Sequence, residues 1–276
     1  MTAAQDHHFE PEAEKIFWRR HRLRTELAGM VASITGYQEN GRRLQGSVEM
    51  ASLVVPLVIS FGAPFAIALG RKPNPGDDDY DSFTSGLYAG HVLIDSTGQS
   101  ACVQVNFTPL GAWRFFGLPM RELAARMVTL DDLADPEIGV LTRRLEDMPD
   151  WERRLDLVEA FVLDRLRRGP EVDPAVASAY RELAFCHGDI RIATIATRLG
   201  WSRKHLSQRF QDEVGLPPKA VARIFRFNRL LSLAAAETDA DWAGLAAECG
   251  YADQAHLTRE FAEFAGTTPT RWLAAA

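Results

Sequence analysis

The last eighty or so residues of the chain carry one pattern twice, and this duplication limits the available folds more than any other feature. Sliding the sequence on itself places Ile195-Ala196 and Leu199-Gly200-Trp201 over Leu245-Ala246 and Cys249-Gly250-Tyr251 at an offset of fifty. One inserted residue, Ala252, lengthens the offset to fifty-one. From there Ser202 meets Asp253, His205-Leu206 meets His256-Leu257, Phe210 meets Phe261, Gly215 meets Gly266 and Pro218 meets Pro269. Agreement in both residue type and order means that one supersecondary unit is used twice.

Each copy reads as helix, turn, helix. Small Ala196 or Ala246 lets two helices approach, and Gly200 or Gly250 supplies the left-handed residue that ends the first of them. Ser202 or Asp253 then caps the second helix. Leu206 and Phe210, like Leu257 and Phe261, lie four apart and form its buried stripe, which turns their neighbours outward. In the first copy the outward set is Arg203, Lys204, Ser207 and Gln208, with His205 at its edge; in the second it is Gln254, Ala255, His256, Thr258 and Arg259. Such side chains donate to guanine edges and phosphates, and Gln pairs with adenine. A helix predicted over 217–236 joins the copies and adds Lys219, Arg223, Arg226 and Arg229, a set from which some phosphate contacts are expected. Helix, Gly, helix repeats also occur in structural bundles, and a basic face is often merely solvated. Two copies with matching caps and matching polar faces favour entry into a DNA groove.

Charge agrees once it is resolved along the chain. The net charge is −6, which alone disfavours a phosphate-rich partner. Residues 189–230, however, hold nine Lys and Arg against three Asp and Glu, whereas 231–276 hold two against seven. A basic island thus sits inside an acidic protein. Glu248, Asp253, Glu260 and Glu263 outnumber Arg259 and Arg271 in the second copy, so the first copy is expected to supply most of the affinity.

The preceding half has a different period. Over 29–107, short alternating or apolar runs at 30–35, 46–60, 65–69, 82–95 and 101–107 are separated by Glu39-Asn40-Gly41, the Pro- and Gly-rich 72–77 and Ser96-Thr97-Gly98. This is strand and turn chemistry and predicts a barrel or sandwich. The run 53–69 is interrupted by Pro56, Gly62 and Pro64 and is too broken to span a membrane. Helical periodicity takes over after Pro109; over 150–168 it places Leu155, Val158, Phe161, Val162 and Leu166 on one stripe. That stripe covers either the core of its own domain or a partner. The segment 169–174, with Pro170 and Pro174, is the predicted boundary or linker. Cys102, Cys186 and Cys249 are too scattered for disulfides or a metal site and read as buried small hydrophobes. His7 and His8 fall in a polar start without the apolar segment of a secretory signal, and no metal-ligand spacing surrounds them.

At this level the C-terminal residues resemble the DNA-binding domain of the AraC/XylS transcription regulators. The match covers about residues 175–273. It rests on Ile195-Ala196, Leu199-Gly200-Trp201-Ser202, His205-Leu206, Arg209-Phe210 and Gly215, then on Leu245-Ala246, Gly250-Tyr251, Gln254, Leu257-Thr258-Arg259, Phe261, Gly266, Pro269 and Arg271-Trp272. The resemblance implies seven helices that set two recognition helices into successive major-groove segments, about 34 Å apart. It implies base-reading roles for Lys204, Ser207, Gln208, Gln254, Ala255, His256 and Arg259, and a phosphate contact for Thr258. Residues 104–107, Pro109, Phe115-Phe116-Gly117-Leu118-Pro119 and 128–133 are similar to cupin-like sensor domains of the same proteins. That likeness implies an effector in the barrel, a homodimer and an activator acting with RNA polymerase.

The expected architecture is therefore α+β: a β-rich cupin-like barrel with packed helices over 1–169 and an all-α domain of two helix-turn-helix units joined by a linker helix over 170–276. The expected partners are double-stranded DNA and a small-molecule effector, in the cytoplasm, with no membrane, cofactor or metal and no enzymatic activity. For the effector, Tyr88, His91, Trp113 and Phe115 are the aromatic and polar candidates. A cupin-type metal enzyme fused to the DNA-binding module is the competing reading, but it needs several His with a carboxylate, and the strands offer only His91. The acidic run at Asp77, Asp78, Asp79 and Asp81 reads as a solvated loop. Cys186 lacks the cysteine cluster that an alkyl-transfer site would need, and no GxSxG elbow is present. A regulator that works through a protein partner without a small ligand is the third reading.

Overall fold

A computed structural model describes residues 15–237 and 240–275; His7 and His8 lie outside the described residues. The alternating runs form strands β1 (Lys15–Arg20), β2 (Val31–Asn40), β3 (Ser47–Glu49), β4 (Val55–Ser60), β5 (Phe65–Leu69), β6 (Asp79–Tyr80), β7 (Phe83–Ser85), β8 (Val92–Asp95), β9 (Ala101–Phe107) and β10 (Met127–Thr129). They make two antiparallel sheets, ordered β1-β2-β9-β4-β7-β10 and β3-β8-β5-β6. Strands β1, β6 and β10 stand outside the predicted runs. All three are edge strands, and Ile16-Phe17-Trp18 of β1, between Lys15 and Arg19, becomes a strand by pairing with residues 35–40 of β2.

The larger sheet is covered on both faces, and the period of two sorts its residues between them. On β9, Val103, Val105 and Phe107 join Ile34, Leu57 and Ile59 in the core under the helices, whereas Cys102, Gln104 and Asn106 point at the smaller sheet. Gly36 of β2 has no side chain because the Trp151 ring occupies that space; an added Cβ would lie 2.7 Å from it.

The helices of this half are α1 (Pro109–Phe116), α2 (Leu130–Leu133), α3 (Pro136–Glu146) and α4 (Trp151–Arg168). Thr108, Thr129, Asp135 and Asp150 cap them in turn with side-chain oxygens. The stripe of α4 lies on the large sheet and on α1, so Leu155, Val158, Val162 and Leu166 are buried within the chain's own core. Seven helices follow among the described residues: α5 (Pro174–Phe185), α6 (Ile192–Arg198), α7 (Arg203–Val214), α8 (Pro218–Ala234), α9 (Trp242–Glu248), α10 (Gln254–Ala265) and α11 (Pro269–Ala275). No helix among the described residues is long and apolar enough to cross a membrane. Cys102 and Cys249 are buried, but Cys186 is only half-buried, a departure from the expected three core thiols that follows from its place at the end of α5.

The predicted linker is a pinned joint. Gly169 sits so close to α1 that a Cβ would come within 1.9 Å of the Arg114 carbonyl oxygen. Trp113 Nε1 donates to the Glu171 carbonyl at 3.2 Å, and the Asp173 backbone N–H donates to the buried Glu213 carboxylate at 2.8 Å. Burial lifts the pKa of Glu213 despite that bond and nearby Arg209. One hydrophobic cluster continues across the joint, from Phe107 and Phe115 to Val176, Leu206 and Phe210. Proline and polar composition signalled a tether, but contacts from both sides hold it. Gly169→Ala is expected to cost about 1–3 kcal/mol, because backbone must move to admit a methyl group. A denaturant midpoint equal to that of the parent protein would show the joint to be loose.

Candidate nucleic-acid interface

The two helix-turn-helix units repeat bond by bond. In the first, Gly200 takes φ +68°, its N–H donates to the Thr197 carbonyl at 3.1 Å, and Trp201 N–H donates to Ala196 at 2.9 Å. In the second, Gly250 takes φ +74°, and the equivalent bonds reach Ala247 at 3.2 Å and Ala246 at 2.9 Å. A side chain in this left-handed turn would be strained, which is why glycine recurs there. The Ser202 hydroxyl then accepts from His205 N–H at 3.1 Å, and the Asp253 carboxylate accepts from His256 N–H at 2.6 Å. Leu206, Phe210, Leu257 and Phe261 are fully buried.

The opposite faces of α7 and α10 are open. Arg203, Lys204, His205 and Gln208 are exposed, as are Gln254, Ala255 and Arg259, while Ser207, His256 and Thr258 are half-buried. Each set therefore lies on one side of a capped helix. The Thr258 hydroxyl donates to the Gln254 carbonyl at 2.8 Å, which occupies its proton within the helix. The His256 ring packs edge-on against Tyr251, and Nδ1 accepts weakly from Ala252 N–H at 3.4 Å.

Residues 195–275 match a family model described as a helix-turn-helix domain. The chain carries an AraC-type helix-turn-helix DNA-binding domain. Among solved structures, the C-terminal domain of AraT, a response regulator from Geobacillus stearothermophilus, is 19% identical, covering 39% of this chain and 89% of its own, with a TM-score of 0.36. ToxT from Vibrio cholerae O395 is 10% identical over 87% of this chain and 97% of its own, with a TM-score of 0.44. Unsaturated fatty acid bound wild-type ToxT from Vibrio cholerae strain SCE256 is 12% identical over 86% and 96%, with a TM-score of 0.39. A search of curated proteins gives no match.

Within the AraC-type domain the linker arginines do not serve as expected. Arg223 Nε donates to Glu260 at 2.7 Å and its Nη2 to Glu263 at 2.5 Å; Arg226 reaches Glu260 at 3.2 Å, and Arg229 reaches Glu248 at 3.4 Å. Burial works against the charge on Arg223, but Glu263 and Glu260 outweigh it and raise its pKa. Of the four linker cations only Lys219 is exposed. The acidic residues that seemed to weaken the second unit thus face α8, and Asp253 is spent on the cap. Arg209, which helped to carry the resemblance, is likewise tied to Asp173 at 3.2 Å and Glu213 at 3.0 Å. Arg209 and Glu213 are four apart on α7, but the other partners lie nineteen to forty positions from each other, and nothing local in the sequence pairs them.

A second site lies between the two sheets, where a cavity of about 420 Å³ opens. Tyr88 lines it; the other three effector candidates do not. Phe115 is buried in the core beside Phe107, with ring centroids 4.6 Å apart, Trp113 packs at the joint, and His91 touches the second helix-turn-helix unit. Aromatic or polar type alone did not say which way each residue faced. Trp18, Tyr37, Glu49, Phe65, Gln104 and Asn106 are among the lining residues that were not candidates. The alternation of polar Gln104 and Asn106 with apolar Val103 and Val105 was the available signal. Among the described residues no group of three or more His, Cys, Asp or Glu is placed to hold a metal ion. The acidic loop is partly structural, since Asp78 is buried and accepts from Arg71 at 2.7 and 2.8 Å.

Glu260, only 2% exposed, is held by both Arg223 and Arg226. Glu260→Gln keeps its shape but leaves two guanidinium groups facing a neutral amide. The expected loss is about 1–3 kcal/mol, measured by chemical denaturation. Stability equal to the parent would mean that α8 and α10 are held by apolar packing alone.

Proposed function

We propose that the chain is a sequence-specific transcription regulator that enters neighbouring major-groove segments with α7 and α10 and answers to a small molecule held between its sheets. The observation that carries this reading is the matched pair of caps, Ser202 and Asp253, each opening a helix with a buried Leu-Phe stripe and an exposed polar face. Arg203, Lys204, Ser207 and Gln208 read bases or phosphates in the first unit, and Gln254, Ala255, His256 and Arg259 do so in the second. Thr258 reaches a phosphate only by giving up its bond to Gln254.

Control is proposed to pass through two short segments shared by cavity and DNA-binding domain. Met50 and Ala51 line the cavity, while the backbone N–H of Ala51 donates to the Phe264 carbonyl at 2.9 Å. Tyr88 and Gly90 line it too, and next to them His91 donates from its backbone N–H to the Glu263 carbonyl at 3.2 Å. A ligand that moves either wall displaces the end of α10. A homodimer, activation through RNA polymerase and a cytoplasmic setting complete the proposal and rest on the family resemblance. Regulators of this kind act by binding, and no observation favours the metal-enzyme alternative.

Selection of bound duplexes from a random DNA pool by the full chain is expected to return a motif with two half-contacts about one helical turn apart. Retention of no duplex at low ionic strength would sink the proposal. Because the acidic residues of the second unit are already paired, Lys204→Ala and Arg259→Ala are each expected to weaken binding to that motif by about 1–3 kcal/mol. A loss confined to Lys204→Ala would return the weight to the first unit, as charge counting alone suggests.

A further inference from the structure

The inter-sheet cavity has a lopsided chemistry. Five aromatic residues line it, Trp18, Tyr37, Phe65, Phe83 and Tyr88, and among the described residues lining it there is no Lys, Arg or His. Its one carboxylate is Glu49, at the end of edge strand β3 opposite Val92. Glu49 is exposed at strand β3 and also lines the cavity, and desolvation there raises its pKa.

The neighbouring acid cannot share this role. Glu39 is buried and already accepts from the Tyr37 hydroxyl at 2.6 Å, from Ser96 and from Ser100 N–H at 3.0 Å. Because the Tyr37 hydroxyl is committed there, Tyr37 offers the cavity its ring. That ring meets Trp18 edge-on at 4.7 Å and Phe65 at 5.9 Å between centroids, so three of the five rings form one contiguous aromatic wall. Aromatic faces attract cations, and a carboxylate without a basic neighbour leaves a negative charge to be matched. A negatively charged ligand would meet that charge with no cation among the described lining residues to offset it. Cys102 adds no anion, since burial pushes its thiol up to about 12.

Resting on the reading of this cavity as the effector site, we infer that its ligand is an organic cation, an amine or quaternary ammonium on an apolar body, held by Glu49 and the aromatic wall. Carboxylate ligands are disfavoured by the same residues. The volume of about 420 Å³ suits a small drug-sized molecule. Glu49 begins the segment that continues through Met50 and Ala51 to the Phe264 contact, so the charge that selects the ligand sits on the proposed control segment.

The test is a calorimetric titration of the full chain at neutral pH with three probes of one skeleton: phenylbutylamine, phenylbutanol and phenylbutyrate. The amine is expected to bind about tenfold or more tightly than the carboxylate. Glu49→Gln should remove its advantage over the alcohol, and Glu49→Lys should reverse the preference towards phenylbutyrate. Binding of the carboxylate as tight as that of the amine in the parent protein overturns the ligand class, as does an amine preference untouched by both variants. Binding by none of the three overturns both the class and the cavity reading. Fluorescence anisotropy on a selected duplex separates the two claims: Glu49-dependent amine binding that leaves DNA affinity unchanged supports the class and refutes control through this cavity.

Discussion

Burial of Leu206 with Phe210, and of Leu257 with Phe261, is the constraint from which the C-terminal half follows. With partners four positions apart, one stripe of each helix is committed to the interior and the other must meet solvent. Caps at Ser202 and Asp253 set where each helix begins, and so which side chains fall on the outer face. Had either stripe been shifted by a single position, Lys204 or Arg259 would have rotated by about 100° towards the core. The polar faces are consequences of apolar packing, and their fitness for a DNA groove rests on it.

Electrostatics then separates two groups among the cations of the C-terminal half. Arg209, Arg223, Arg226 and Arg229 hold the domain together through Glu213, Glu260, Glu263 and Glu248, whereas Arg203, Lys204 and Arg259 remain exposed at the proposed interface. Counting charges along the chain gave the second unit an acidic surface that the folded protein does not present at its polar helix face. An ion pair around a buried carboxylate such as Glu260 contributes position more than net stability, because desolvation offsets much of the attraction. Here it sets α10 against α8, and thereby the second recognition helix against the first unit.

The two halves share walls instead of being strung on a tether. The core of the larger sheet continues past Gly169 into the first helix-turn-helix unit, and the second unit rests on segments whose other side faces the cavity. Close-packed interiors transmit displacement, because a neighbour has no empty space to yield into. This arrangement gives a physical route from a small molecule between the sheets to a helix that meets DNA, through backbone hydrogen bonds at Ala51 and His91.

What could be read from the sequence alone was whatever depends on neighbours within about one helical turn or along one strand. The duplicated turn, the caps, the Leu-Phe stripes, the outward residues of α7 and α10, the amphipathic α4 and most of the central strands all belong to that class. Tertiary structure decided the rest: the pairing that made β1 a strand, the partners of Arg223 and Arg226, the pinned state of 169–173, and which aromatic residues face the cavity. These outcomes depend on contacts between residues far apart in the chain, and side-chain type carries no record of which distant group will occupy the space beside it.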